Sequence, residues 1–499
     1  MSSKRTFSEW QELAETVEIR NQAFVGGNYV DAASGETFDC ISPIDGRLLA
    51  KVAACDTEDV NRAVSAARKA FEAGVWAAME PQARKRVLLK LADLIERHAD
   101  ELAVLETLDM GKPITYSRYH DLNSVVHTIR WYAEAIDKVY GEIAPLGTEE
   151  LGLIMREPIG VVGAVVPWNF PLDIAASKFA PALAAGNCVI LKPAEQAPLT
   201  AIRVAELAAE AGIPDGVLQV LPGFGHTAGQ ALGRHPEVDL ISFTGSTEVG
   251  KLFLKYAGES NMKEVALECG GKSPNIILAD APDLEAAAAA ATDGIFYNSG
   301  QVCTASSRLL VHRQIHEAFL EKVVEAARQT RPGNPLDPDV TLGTIVDEQQ
   351  VQRILSYIET GQREGAALVL GGRRARPESG GCYLEPTIFE QVAPHMTIAQ
   401  EEIFGPVLAT IPFDADETAI QIANDSIYGL FASVWTRDIN KAHKFARAIR
   451  AGTVSINTLK NYDVRMPFGG YKQSGIGREN SLHGYYKYTQ LKSILIGLE

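Results

Sequence analysis

Cys303 closes the run Tyr297-Asn298-Ser299-Gly300-Gln301-Val302-Cys303, a polar, glycine-containing approach to a thiol. Alone it would read as a buried small hydrophobe, the common fate of a free cysteine. Joined to Asn169 and Glu268, it reads as chemistry. A thiolate attacks a carbonyl carbon, a carboxylate takes up protons, and a side-chain amide steadies the charge that grows on a carbonyl oxygen.

The elements that must position these groups follow from periodicity. Between residues 57 and 110, Val60, Ala63, Val64, Ala67 and Phe71, and then Val87, Leu88, Leu91, Leu94 and Ile95, recur at helical spacing. From Val161 the rhythm alternates. Strands are predicted over 161–166, 188–191, 217–220 and 238–243, with helices over 173–183 and from Pro198 to Ala211 before Gly212. A second alternating unit begins near Gly270, with strands over 274–278 and 308–311 around an alanine-rich helix beginning at Glu285. This is an α/β pattern with mostly parallel sheets. The segment 486–498 alternates as an edge strand does, open to pairing between domains or between subunits.

A chain of 499 residues is too long for one core, so two or three domains are expected, and 46% hydrophobic residues can fill them. With 47 basic and 63 acidic residues the formal charge is −16, which disfavours nucleic acid and anionic membrane as partners. The six cysteines, Cys40, Cys55, Cys188, Cys269, Cys303 and Cys382, form no CxxC pair, arguing against a disulfide framework or a thiolate metal site. No apolar run is long enough for a membrane span, and the N-terminal residues carry no apolar export segment. A reduced, soluble, cytoplasmic protein without a metal is expected.

The motifs then become specific. Pro167-Trp168-Asn169-Phe170-Pro171, Phe243-Thr244-Gly245-Ser246-Thr247, Leu267-Glu268-Cys269-Gly270-Gly271-Lys272 and the Cys303 run occur in the order found in NAD(P)-dependent aldehyde dehydrogenases. Glu401-Glu402-Ile403-Phe404-Gly405-Pro406 and the run from Pro467 to Gly475 continue the resemblance, which covers nearly the whole chain. It implies a Rossmann-like cofactor domain from 1–137 and 159–270, an α/β catalytic domain over 271–475, and a small β oligomerisation element from 138–158 and 486–499, assembled as a homodimer or homotetramer. Cys303 then matches the nucleophile, Asn169 with the Cys303 N–H the oxyanion hole, and Glu268 the base that activates water. Cys269 matches none of these and reads as structural.

The same resemblance gives the cofactor-binding set. The turn Gly245-Ser246-Thr247-Glu248-Val249-Gly250 suits a pyrophosphate at a helix mouth. Lys192 and Glu195 approach the adenosine ribose, where Glu195 accepts ribose hydroxyls and repels a 2′-phosphate while Lys192 could receive one. NAD is therefore expected over NADP. Glu402 matches the holder of the nicotinamide-side ribose, Phe404 its packing neighbour, and Trp168 precedes Asn169 on the cofactor side.

Within the family the chain resembles bacterial enzymes for ω-amino, guanidino or γ-glutamyl-amino aldehydes of polyamine breakdown. Phe170 supplies an apolar wall, Asp173 either meets a cationic tail or pairs with Lys178, and Asn461 lies in an entrance loop. Ser177 stands where related enzymes carry a large aromatic, predicting a wider, more polar tunnel. Alternatives are a broad-specificity aliphatic or betaine aldehyde dehydrogenase, and in other classes thioester exchange with coenzyme A, a thiol esterase or a noncatalytic binding protein.

Overall fold

The computed structural model describes residues 5–498; the first four residues and Glu499, which belong to the expected cofactor and oligomerisation segments, lie outside the described residues. Two large sheets organise the chain. The first has eight strands, and its centre is parallel in the spatial order Glu264–Glu268, Leu240–Thr244, Val161–Val165, Cys188–Lys192, Leu218–Val220. Val161–Val165 and Cys188–Lys192 are buried along their whole length, as continuous apolar runs in a parallel sheet must be.

The flanking helices start and stop where side chains dictate. Asp56 caps Thr57–Glu72 through a reciprocal box with Asp59, Pro171 opens Pro171–Ala185, and Gly212, at φ 103°, ends Leu199–Ala211 in a left-handed conformation. Their apolar stripes close one large core that includes Leu88, Leu91, Leu183 and Ile190. Trimming one such leucine to alanine costs about 2–5 kcal/mol.

The second sheet has seven strands, with Val407–Phe413, Arg308–His312, Pro274–Ile277 and Phe431–Trp435 parallel at its centre. Asp283 caps the alanine-rich helix Leu284–Phe296. The chain crosses back once more: Gly475–Ile476 pairs antiparallel with Leu267 and Glu268 in the first sheet.

A third sheet is small. Thr489–Gly497 pairs antiparallel with Glu150–Pro158 in the same chain, from Thr489 opposite Pro158 to Gly497 opposite Glu150. Its beginning corrects the predicted strand, because Tyr486 ends a short helix, Ser481–Tyr486. Tyr485 and Tyr488, three apart, turn inward to Ala184 O and Ser242 Oγ at 3.3 and 3.0 Å, a helical spacing hidden in a run of aromatics. No helix among the described residues is long and apolar enough to cross a membrane.

Candidate active site

Cys303 lies between the helix Leu284–Phe296 and the strand Arg308–His312, half-buried on the wall of a cavity of about 690 Å³. The approach to it is strained. Asn298 (φ 48°), Ser299 (φ 55°) and Gly300 (φ 74°) are successive left-handed residues. Each non-glycine held there costs of order 1–3 kcal/mol. Burial, with the nearby carboxylates Glu402 and Glu268, pushes the thiol up to about 12, against the backbone N–H groups of Thr304 and Cys303. The resting thiol is therefore protonated.

Glu268 ends the strand Glu264–Glu268 and lines the same cavity. Gly469 leaves room for it, since a Cβ there would lie 2.7 Å from Glu268 Oε1. Its Oε2 is buried without a hydrogen-bond partner. Burial, and then the charge of Glu479, hold the Glu268 carboxyl well above the ordinary range. Glu479 itself is buried, but Lys178 and Lys487 together outweigh that and keep it down at about 2.

Asn169 follows the strand Val161–Val165. Its Nδ2 donates to the Gln301 carbonyl at 2.9 Å, two residues before the nucleophile, and its second N–H remains for another acceptor.

Of the expected substrate contacts, Phe170, Asp173, Ser177 and Asn461 all line the cavity with Cys303 and Glu268. Asn461 Nδ2 donates to Thr304 Oγ1 at 2.7 Å. The alternative pairing of Asp173 with Lys178 is corrected: Lys178 Nζ lies 2.6 Å from Glu479 Oε1. Lys178 is fully buried and takes the carboxylate on the chain that returns beside Glu268. Asp173 keeps an unpartnered Oδ1, and burial raises it to about 6. Ser177 Oγ lies 2.8 Å from Ile174 O and 3.1 Å from Glu479 Oε2, sharing its one proton between the two acceptors.

Further lining residues had no signal in the pattern. Asp121 comes to the wall at the end of a π-helical turn, Ser117–Asp121, that breaks the helical period, and Asp293 joins it on the cavity wall. Glu479 sits in no recognisable motif and reaches the site only because the chain returns through Gly475–Ile476.

The residues expected to bind cofactor gather at the first sheet's carboxyl edge, where open α/β sheets bind nucleotides. Ser246 caps the helix Thr247–Gly258, its Oγ accepting from Val249 N at 3.3 Å. The N–H of Gly245 goes to Glu268 O and that of Gly250 to Ser246 O, so these glycines supply room rather than donors. The first-turn N–H groups of Thr247 and Glu248, which have no intrahelical acceptor, face the mouth. Lys192 Nζ pairs with Glu195 Oε2 at 3.0 Å. Glu402 accepts from Gly271 N at 2.9 Å, and a Cβ on Gly270 would fall 2.0 Å from Glu402 Oε2, so only glycine lets this carboxylate in. Trp168 and Phe404 pack edge to face at 5.3 Å. A helix mouth, two carboxylates and an aromatic corner fit a dinucleotide.

Comparison with known proteins agrees. The sequence model of the Aldehyde dehydrogenase family matches residues 29–494. The chain is 53% identical over 490 residues to the NADP/NAD-dependent aldehyde dehydrogenase PuuC of Escherichia coli, covering 98% of each. A gamma-glutamyl-gamma-aminobutyraldehyde dehydrogenase from Burkholderia cenocepacia superposes with a TM-score of 0.98 at 58% identity, over 99% of this chain and 100% of that one. An indole-3-acetaldehyde dehydrogenase in complex with NAD+ does so with a TM-score of 0.98 at 56% identity and the same coverage.

Proposed function

The chain belongs to the aldehyde dehydrogenase family, and from that premise we propose that Cys303 is the nucleophile of the oxidation, with Glu268, which lines the same cavity, and Asn169, bonded to the Gln301 carbonyl beside it, as its machinery. Membership makes the protein an NAD(P)-dependent aldehyde dehydrogenase. In the proposed sequence Cys303 Sγ, once deprotonated, bonds to the aldehyde carbon, and the oxygen's charge is taken by the Asn169 amide and the Cys303 N–H. The bound nicotinamide supplies the acceptor for the hydride and its electron pair. The remaining thioester is opened by water as Glu268 takes a proton, the C–S bond breaks, and carboxylate leaves. Lys192, Glu195, the 245–250 turn and Glu402 hold the cofactor, and the Glu195 carboxylate favours NAD over NADP.

The substrate we infer is an ω-amino, guanidino or γ-glutamyl-amino aldehyde of the kind polyamine breakdown yields. The observation that carries it is a pair of carboxylates, Asp173 and Asp293, lining the same cavity as Cys303; a third, Asp121, is already paired with the buried Lys112. Tyr116, His120 and Tyr297 form an aromatic group beside them, with Tyr116 and Tyr297 centroids 4.7 Å apart, a surface that also attracts cations. The resemblance to the Burkholderia enzyme points the same way. A second reading, a neutral aromatic aldehyde, is favoured by Phe170 stacked on Tyr297 at 6.1 Å and by the indole-3-acetaldehyde relative. A kinetic panel of 4-aminobutyraldehyde, 4-guanidinobutyraldehyde, γ-glutamyl-γ-aminobutyraldehyde, propionaldehyde and indole-3-acetaldehyde separates them. Preference for either of the last two would defeat the cationic or amide-tailed assignment.

We further infer a homodimer or a tetramer built from dimers. Leu491 and Leu495, on one face of the strand Thr489–Gly497, are 59% and 65% exposed, an apolar pair that a second copy would cover. A light-scattering mass of one chain would contradict this. A cytoplasmic location is supported by six free cysteines, none paired.

A further inference from the structure

The two donors of the proposed oxyanion hole come from different sheets. Asn169 follows a strand of the first, and Cys303 precedes a strand of the second. Their mutual placement must hold to a fraction of an ångström for the hole to act. Asn298 spans this joint. Its Nδ2 donates to Asn169 O at 2.9 Å and to Gln301 O at 3.3 Å, and the same Gln301 carbonyl accepts from Asn169 Nδ2 at 2.9 Å. Gln301 is anchored in turn, its Nε2 donating to Asn298 O and Thr344 O at 3.1 Å each and its Oε1 accepting from Val346 N at 2.9 Å.

All three side chains are buried, so water cannot replace these bonds. A carbonyl facing the Asn169 amide also settles which way that amide points: the flipped form would set two oxygens against each other. One Asn169 N–H is thereby tied down and the other left aimed away from Gln301.

We propose that Asn298 is a positioning residue for the oxyanion hole, its amide clamping the Asn169 backbone to the Gln301 carbonyl and so fixing the aim of the Asn169 side chain. The proposal rests on the reading of Cys303 and Asn169 as the acylation centre. A simpler role for Asn298 is conformational, since asparagine tolerates the left-handed backbone it adopts at φ 48°. The two roles separate by substitution. Glycine accepts that backbone more readily but donates nothing, and aspartate keeps the size and the backbone tolerance but turns a donor into an acceptor facing two carbonyls. Ser299, at φ 55° with a buried, unpartnered Oγ, is the control: Ser299→Gly removes no bond.

The test compares two reactions of one thiol in the full-length protein with NAD. The first is the pre-steady-state burst of NADH with 4-aminobutyraldehyde or propionaldehyde, which builds an oxyanion. The second is alkylation of Cys303 by iodoacetamide, a displacement that builds none. Both are read as rate constants of the folded molecule, with alkylation of thiols exposed in misfolded chains resolved as a separate phase, so partial misfolding does not enter the ratio. Asn298→Gly and Asn298→Asp are each expected to lower the ratio of burst rate to alkylation rate roughly 10²-fold, as loss of one oxyanion donor does, while Ser299→Gly leaves it unchanged. An unchanged ratio in Asn298→Gly, or in Asn298→Asp, would overturn the clamp in favour of the conformational role. Persistence of the burst in Cys303→Ala would instead overturn the acylation centre on which the clamp rests.

Discussion

Lys178 and Glu479 form a buried ion pair, 2.6 Å from Nζ to Oε1, and the carboxylate of that pair adds to burial in raising the proton affinity of Glu268. Two acids at one site cannot both ionise easily, and the two lysines beside Glu479 decide which one does. Glu479 holds the charge. Glu268 holds the proton until the pH rises well beyond the ordinary carboxylate range.

Glu479→Gln should therefore shift the rising limb of the steady-state pH–rate profile to lower pH. The like charge is gone while Lys178 and Lys487 remain to favour ionised Glu268. The variant should also lose about 3–5 kcal/mol of stability, because Lys178 is left buried and unpaired. Profiles of kcat against pH, with thermal melts, check both; a limb that stays in place or moves to higher pH would contradict the assignment.

Glu268→Gln separates the halves of catalysis. A burst of NADH should persist while steady turnover falls roughly 10²–10⁴-fold, the range for losing a positioned base. Rapid-mixing kinetics read both phases, and normal turnover would remove Glu268 from the deacylation step.

Asp173 titrates near 6, so its charge is lost as the pH falls below that value and gained above it. The preference for a cationic over a neutral aldehyde in kcat/KM should accordingly rise between pH 5 and pH 7. In Asp173→Asn the preference should be small and flat with pH. Equal damage to both substrates would assign Asp173 to structure.

Glu195→Gln should narrow the advantage of NAD over NADP. The carboxylate that repels a 2′-phosphate is gone, and Lys192, at 3.0 Å in the parent, is freed to meet one. Cofactor kinetics for the two proteins decide it, and an unchanged ratio would set aside the ribose reader.

What the sequence disclosed follows the range of each interaction. Strands such as Val161–Val165 and Cys188–Lys192 were legible because a fully buried parallel strand is apolar at every position. Helix ends were legible where Asp56, Pro171 and Gly212 punctuate them. The proposed catalytic residues Cys303, Asn169 and Glu268 were named through motifs, each local. Asp121 was not, since a π-helical turn rotates it onto the cavity against the period its neighbours advertise. The partner of Lys178 was also hidden. Asp173 is nearer in sequence, but Glu479 is brought in by a strand pairing that no local pattern encodes.

That late return has a consequence for biosynthesis. Phe468, Gly469, Gly475 and Glu479 complete the surroundings of Glu268, and the strand Thr489–Gly497 completes the small sheet with residues 150–158. A chain emerging from the ribosome can pack its early helices at once, but its strand over 150–158, paired on one side with residues 142–144, keeps its other edge open and its reaction chamber stays unwalled until the last few dozen residues emerge. The proposed acylation centre is thus incomplete in the nascent polypeptide, and its thiol gains the surroundings that the proposed chemistry needs only once these residues have folded onto it.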